Sequence, residues 1–500
     1  MRTPMDVVLR ESEGSGRPRL ITAQGTLDDR ALAARIGHLV EWMTKMDIRR
    51  VASRLDNGPS WFVLDMAIRE TGGVHVPLPM FFSDAQVLHA LANSGAQCVV
   101  TSREDAMPPG VEALTGFLDG ERLACWRVQV DEAAAPALPH RTGCITYTSG
   151  TTGRPRGVCL DAHTLFGVAG SLVDAAAAIA PRRHLCLMPL ATLLENVAGL
   201  YAALLADAEI ALPSLSEIGY TGATGLDVPT LLRCLHRYQP ESVILVPQLL
   251  LALVMAAEQG APLPASLRYI AVGGGRVGPG LLARARVLGL PVFEGYGLTE
   301  CGSVVCLNRP GATRDGSVGQ ALPHAGVSIV DGEICVDGAR ALGYLGGDPL
   351  EDGPLRTGDL GYRDDEGFVH ITGRRKNVFI TAFGRNVSPE WVESELLAHP
   401  AIAQAVVWGE GQADNVAVLV PRRPDVDDAQ ITRALGEVNA GLPDYARVAR
   451  FVRAAPFTAD AGLVTANGRP RRAAILDRYQ ADVDACYRLI PNVFPSGVTA

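Results

Sequence analysis

The sequence predicts an α/β fold in two parts: a large N-terminal domain of parallel sheets flanked by helices, and a small α+β domain at the C-terminus. Three observations carry this prediction. At 500 residues the chain exceeds what one hydrophobic core organises. Short apolar strands alternate with segments of helical period over most of its length, the pattern of parallel sheets covered by helices. After Gly353 the texture changes to a hairpin, a helix and paired strands, and from Lys376 onward it reads as a separate compact unit.

The elements follow in order. Apolar residues recur at helical spacing over 27–47, with Asp28 and Asp29 in the first turn. A second helix covers 61–70 and stops at Thr71-Gly72-Gly73, a strand covers 74–78, Ser83 caps a helix reaching Asn93, and the next strand covers 97–101. Ala133 to Pro139 forms an Ala/Pro linker, and strands continue at 243–246, 269–272 and 291–293. The apolar run 243–257 is broken by Pro247 and Gln248, is too short to span a bilayer, and reads as buried core. In the C-terminal part, 363–367 is a hairpin turn between two strands, and Ser388 and Pro389 stand at the N-cap and first position of a helix. Strands at 403–407 and 415–420 and a helix at 429–440 complete it.

Composition narrows the function classes. A net charge of -9 provides no basic field for nucleic acid or an anionic membrane surface. The opening MRTPMDVVLRESEGSG has no signal-peptide core, so a cytoplasmic protein without a membrane span is expected. Ten cysteines lie scattered without a CxxC pair, which reads as reduced thiols and not as a disulfide framework or zinc site. Of 45 basic residues only Lys45 and Lys376 are lysines. Codon bias explains most of that, but an arginine cannot be assumed equivalent wherever chemistry uses an ammonium.

Residues 147–158 read YTSGTTGRPRGV and follow a short apolar strand. The glycines let the backbone approach a ligand, and Thr148, Ser149, Thr151 and Thr152 around Gly150 offer hydroxyls to phosphate oxygens. Gly-Lys-Ser/Thr is missing, so this is no Walker A loop. Residues 293–300 read FEGYGLTE, an aromatic between glycines followed by a carboxylate that a triphosphate would repel without a bridging cation. Residues 356–377 read RTGDLGYRDDEGFVHITGRRKN.

These three strings, in this order, resemble the ANL superfamily of adenylate-forming enzymes: acyl- and aryl-CoA synthetases, adenylation domains of peptide synthetases, and luciferases. The resemblance runs from about Leu27 to Leu476. It implies an N-terminal domain of several subdomains, 1–375, that binds ATP and substrate, and a mobile C-terminal lid, 376–500, on a hinge at Lys376. By it, the 147–158 loop with Arg156 in place of the family lysine would hold phosphates. Tyr296, within Glu294-Gly295-Tyr296-Gly297, would stack on adenine, Thr299 would bind the α-phosphate and Glu300 would hold Mg²⁺. Asp359 would take the ribose hydroxyls, Arg374 would contact ribose or phosphate, and Gly274, Gly275 and Arg276, after Gly273, would run along the adenine face.

Three positions depart from the family pattern. Arg469 stands where the family has a lysine that contacts both the acid and the α-phosphate. Phe383 replaces a small residue beside the channel for pantetheine, where the ring either narrows the channel or packs against the hinge. The acid-pocket segment 189–196 has no aromatic after Pro189-Leu190, and its Glu195 and Asn196 either bind a polar substituent or cap the following helix. The leading expectation is an ATP- and Mg²⁺-dependent ligase that activates a small acid as an acyl-AMP for CoA or a phosphopantetheinyl carrier protein. A diazotase activating nitrite and coupling it to an arylamine is the alternative that Arg469 and Phe383 suggest. A non-catalytic nucleotide-binding homologue is the third, against which the intact Thr299, Glu300, Asp359 and Arg374 argue.

Overall fold

The computed structural model describes residues 18–102, 111–114, 123–129, 136–148, 155–221, 225–347, 350, 353–465 and 468–489. Among these, the main element types follow the expectation, with instructive shifts at the ends. The first helix is shorter than its periodic pattern, Asp29–Lys45, because Gly25–Asp28 pairs as a strand with Pro18–Thr22. Asp28 is the N-cap, accepting from Ala31 N–H, while Asp29 is buried against Arg19 at 2.7 Å instead of facing solvent. Ser83 forms a capping box with Gln86 at the helix Asp84–Ser94. Ser388 precedes the helix Pro389–Ala398 as expected, yet its hydroxyl turns to Glu390 at 3.2 Å and caps nothing. The linker at 133–139 lies partly outside the described residues.

Two large sheets organise the N-terminal part. One has eight strands and contains the antiparallel hairpin β1 (Thr142–Thr148) and β2 (Arg156–Asp161). Helix α1 (Ala162–Ala176) follows directly, capped by Asp161. The other sheet has nine strands, parallel through its centre and antiparallel at both edges. At its middle lie β3 (Arg183–Leu185), β4 (Ser242–Leu245), β5 (Tyr269–Val272) and β6 (Val292–Tyr296). Their runs, such as SVIL and YIAV, are apolar after a first Ser or Tyr, as buried parallel strands are. The apolar run at 243–257 is β4 plus the helix Pro247–Glu258, both in the core.

A four-stranded antiparallel sheet includes β7 (Leu355–Arg363) and β8 (Val369–Arg374), joined by the expected hairpin turn with Gly367 at φ 86°. The C-terminal unit packs a three-stranded sheet against the helices Pro389–Ala398, Asp428–Ala440 and Arg472–Leu489 around its own core. No helix among the described residues is long and apolar enough to cross a membrane.

Candidate active site

One cavity of about 1910 Å³ opens where the C-terminal edge of the nine-stranded sheet meets the hairpin, the four-stranded sheet and the C-terminal unit. Parallel sheets place binding sites at this edge because the connecting loops leave the strands there. Gly273, Gly274, Gly275 and Arg276 follow β5 into the cavity, and Glu294, Gly295, Tyr296, Gly297, Thr299 and Glu300 follow along β6. Gly274 has φ 75°, a left-handed conformation that glycine adopts without strain. Thr148 and Arg156, the ends of β1 and β2, line the same space, as do Asp359, Arg374, Lys376 and Arg469. Ser149, Gly150, Thr151 and Thr152 lie outside the described residues.

The charged groups form two networks. In β7 and β8, Asp359 stands opposite Arg374 in register. Arg374 Nε donates to Asp359 Oδ1 at 2.7 Å, and the Tyr296 hydroxyl donates to Oδ2, also at 2.7 Å. Asp359 holds the Arg374 guanidinium charge more firmly, against the cost of its burial. The acid expected at the ribose and the arginine expected beside it are therefore paired with each other. The second network runs from Arg156 over the Tyr344 ring at 3.9 Å and from the Tyr344 hydroxyl to Glu300 Oε1 at 2.8 Å. Tyr344 was not singled out in the sequence; its signal, a Gly-Tyr pair at 343–344, becomes meaningful only when the strand Gly343–Tyr344 pairs with β2.

The C-terminal unit docks across this end. Arg284 Nη1 donates to Ala398 O at 2.6 Å and Arg469 Nη2 to Gly274 O at 3.3 Å, while Arg276 Nη1 ties the same end to the four-stranded sheet through Ile371 O at 3.1 Å. Arg469 is enclosed by protein yet reached by solvent through the cavity; the enclosure, with the nearby Arg374, lowers its proton affinity, and Asp359 and Glu300 oppose that. Glu294 is buried without an ion pair among the described residues, and desolvation pushes its carboxyl up to about 8 despite Arg276 and the Val277 N–H. Phe383 is 55% exposed and is absent from the cavity lining.

Away from these charged residues the cavity continues along one face of the large sheet. Gly273, Ala271 and Tyr269 of β5, Ile244 and Ser242 of β4, and His184 of β3 line it, alternate residues pointing to one side as strand geometry requires. The opposite wall is a π-helical stretch, Leu194–Tyr201, running into the helix Ala202–Leu205. Its Ala198, Ala202 and Ala206, with Gly199 and Ala203, recur every four residues and keep the lumen open. Ala176 and Ala177 at the end of α1 close the side. From Gly273 to Tyr269 the passage extends four residues, about 13 Å at roughly 3.3 Å per residue.

Both ends of the π-helical wall are anchored. Glu195 neither caps a helix nor stands open to a ligand: its Oε2 accepts from Leu187 and Met188 N–H at 3.1 and 2.9 Å, and Oε1 faces His184 Nε2 at 3.0 Å. A Cβ on Gly199 would stand 2.7 Å from that ring nitrogen, so glycine lets the helix close over the pair. Asn196 Nδ2 is buried with no hydrogen bond. At the far end the Tyr201 hydroxyl donates to Asp65, which also takes His75 Nδ1 at 2.6 Å and Arg69 Nη2 at 3.1 Å. His184, Cys186 and Glu195 lie close enough together to share a metal ion, but the ring nitrogens and carboxylate oxygens already serve this hydrogen-bonded network.

The model of AMP-binding enzymes matches residues 14–345, and that of the AMP-binding enzyme C-terminal domain matches 376–490. A long-chain-fatty-acid–CoA ligase, FadD15 of Mycobacterium bovis, is 27% identical over 85% of this chain and 86% of its own length. A 2-succinylbenzoate–CoA ligase of Bacillus cereus is 29% identical over 76% of this chain and 79% of that protein. Among solved structures, o-succinylbenzoate CoA synthetase from Bacillus subtilis, in complex with its acyl-adenylate intermediate, superposes with a TM-score of 0.75 at 25% identity, covering 94% of this chain and 97% of that one.

Proposed function

The chain belongs to the family of AMP-binding enzymes, and from that membership we propose that it is an adenylate-forming ligase for a carboxylic acid with a long apolar tail, with CoA as the acceptor thiol. One observation carries the choice of acid: the polar end, with Glu300 and Arg469, and a passage walled by alanines are one continuous cavity. Burial of each methylene in such a passage contributes about 0.8 kcal/mol. Nitrite has no apolar part to occupy the passage, which favours the acid ligase over the diazotase.

In this reading the acid's carboxylate oxygen attacks the α-phosphorus of ATP, the bond to pyrophosphate breaks, and an acyl-AMP forms. A thiolate then attacks the acyl carbonyl and AMP leaves. Arg469 supplies positive charge to the α-phosphate from the docked C-terminal unit, with Thr299 and Thr148 as hydroxyl donors from the opposite sides. Its carbonyl partner, Gly274, holds the guanidinium only through one long hydrogen bond, leaving its other N–H groups for phosphate and carboxylate. Tyr296 and the loop from Gly273 to Arg276 form the adenine slot. Asp359 takes the ribose once Arg374 yields one of its two hydrogen bonds. The Glu300 carboxylate fits Mg²⁺: it is a hard oxygen ligand, half-buried, with Tyr344 engaging one oxygen only. When bound there, the ion offsets phosphate charge. Arg156, stacked on Tyr344, extends the same field toward the phosphate tail. Lys376, exposed at the cavity rim, is the proposed pivot on which the C-terminal unit turns for thiol transfer.

The test is ATP–pyrophosphate exchange with saturated fatty acids of increasing length, aryl acids, and nitrite with an arylamine, followed by CoA thioester formation with the acids that exchange. Exchange should rise with chain length and thioester should follow. AMP release with nitrite and arylamine alone would overturn this reading.

A further inference from the structure

Three polar side chains stand side by side in the sheet wall of the passage, whose lining elsewhere combines the alanines with Asp174, Arg182 and Asp207. His184, Ser242 and Tyr269 are paired neighbours on adjacent parallel strands, so their side chains leave the same face of the sheet at the same depth. All three are more than nine-tenths buried and line the cavity. Ser242 Oγ lies 3.0 Å from His184 Nδ1, and His184 Nε2 lies 3.0 Å from Glu195 Oε1.

The hydrogen-bond network assigns the direction of each bond. Glu195 uses its other oxygen to accept two backbone N–H groups, and as a carboxylate it can only accept from the ring. Nε2 therefore carries a proton, and in the neutral ring Nδ1 is an acceptor for the Ser242 hydroxyl. That leaves Ser242 Oγ with its lone pairs and no proton to give to the lumen. Tyr269 complements it. Its ring stacks on Phe293 with centroids 5.0 Å apart, and its phenol makes no hydrogen bond among the described residues, so it keeps a donor in an apolar surrounding. Burial also raises the phenol's hold on its proton. A passage meant only for an alkyl chain gains nothing from a serine and a phenol in its wall.

We propose that Ser242 and Tyr269 form a subsite that recognises a hydroxyl substituent on the acyl chain, about 13 Å along the sheet from Gly273 by the strand rise of roughly 3.3 Å per residue. The hydroxyl donates to Ser242 and accepts from Tyr269, a two-sided match that a methylene cannot make and that a ketone, which only accepts, makes by half. His184 and Glu195 are positioning residues that orient the serine. The subsite rests on the acid-ligase reading above.

The experiment measures ATP–pyrophosphate exchange of the full-length enzyme with stearic acid, its mid-chain hydroxy derivative and the matching mid-chain keto acid, for wild type and the variants Ser242→Ala, Ser242→Thr and Tyr269→Phe. The wild type should prefer the hydroxy acid over stearic acid by about tenfold in kcat/KM, the factor one net hydrogen bond provides, with the keto acid between. Ser242→Ala should bring the hydroxy-to-plain ratio to near unity and Tyr269→Phe should lower it, while Ser242→Thr should retain it. Because the readout is a ratio within one protein sample, a general loss of stability does not imitate it. Exchange with stearic acid but without hydroxyl preference, a keto acid used as well as the hydroxy acid, or a preference surviving Ser242→Ala overturns the subsite alone. Absence of exchange with every fatty acid overturns both the subsite and the ligase reading beneath it.

Discussion

At one end of the cavity Asp359, Arg374, Tyr296, Glu300 and Tyr344 are large, polar and joined by hydrogen bonds; at the other Ala198, Ala202, Ala203 and Ala206 contribute little but their smallness. The polar end is carried by loops and strand ends, where particular atoms are set at fixed positions. The apolar end is a void between a sheet face and a helix, defined by which side chains are short. The first kind of site is made of what is present and the second of what is missing, so they fail in different ways. Removing a charge disables the first. Filling a gap disables the second, and only for substrates long enough to reach it.

The largest effect is expected from Arg469→Ala. It removes the cation docked beside Gly274 and should reduce acid-dependent pyrophosphate exchange on the order of 10²-fold or more, as loss of one electrostatic donor to a transition state does. Glu300→Ala should act similarly, with no comparable loss of thermal stability by calorimetry. If either variant kept near-normal exchange, the polar end would not be the site of chemistry.

Next in size is Ala198→Phe in the passage wall. Overpacking costs roughly 1–3 kcal/mol, and here it falls on the longest substrates. KM should rise about tenfold or more for long-chain acids and little for short ones in a chain-length series. A uniform change across the series would remove this wall from the acid site.

Tyr344→Phe sharpens the polar end further. It keeps a ring for Arg156 but takes the hydroxyl from Glu300, and should lower activity by about tenfold, the size of one hydrogen bond to a charged group. The loss should appear as a higher Mg²⁺ requirement in a titration at saturating ATP.

The smallest effect concerns pH. Burial raises the Glu294 carboxyl to about 8, so the folded chain holds that proton more tightly than the unfolded chain does. The associated stability is complete below the ordinary carboxylate range and is lost as pH rises through about 8. The melting temperature should therefore decline from mildly acidic pH to above 8, and Glu294→Gln should flatten the decline. An identical pH profile in the variant would show that the carboxyl is not the group responsible.

Sequence by itself determined the alternation of strands and helices, the cap at Ser83 and the hairpin at Gly367, because these depend on neighbours within a few residues. Local patterning also placed Glu294, Tyr296, Glu300 and Asp359 in motifs whose chemistry is readable residue by residue. It could not determine that Asp359 and Arg374 pair with each other, which follows from the register of β7 against β8. Nor could it determine that Ser388 would turn to Glu390, or that Tyr344 would reach Glu300 across 44 positions. The passage was wholly hidden. Alanines at 198, 202 and 206 read as ordinary helix formers, and Ser242 and Tyr269 as strand ends, until the sheet set three strands in register and the helix closed over them. A void has no sequence signature because its shape belongs to the distances between elements, and those distances are fixed only by tertiary packing.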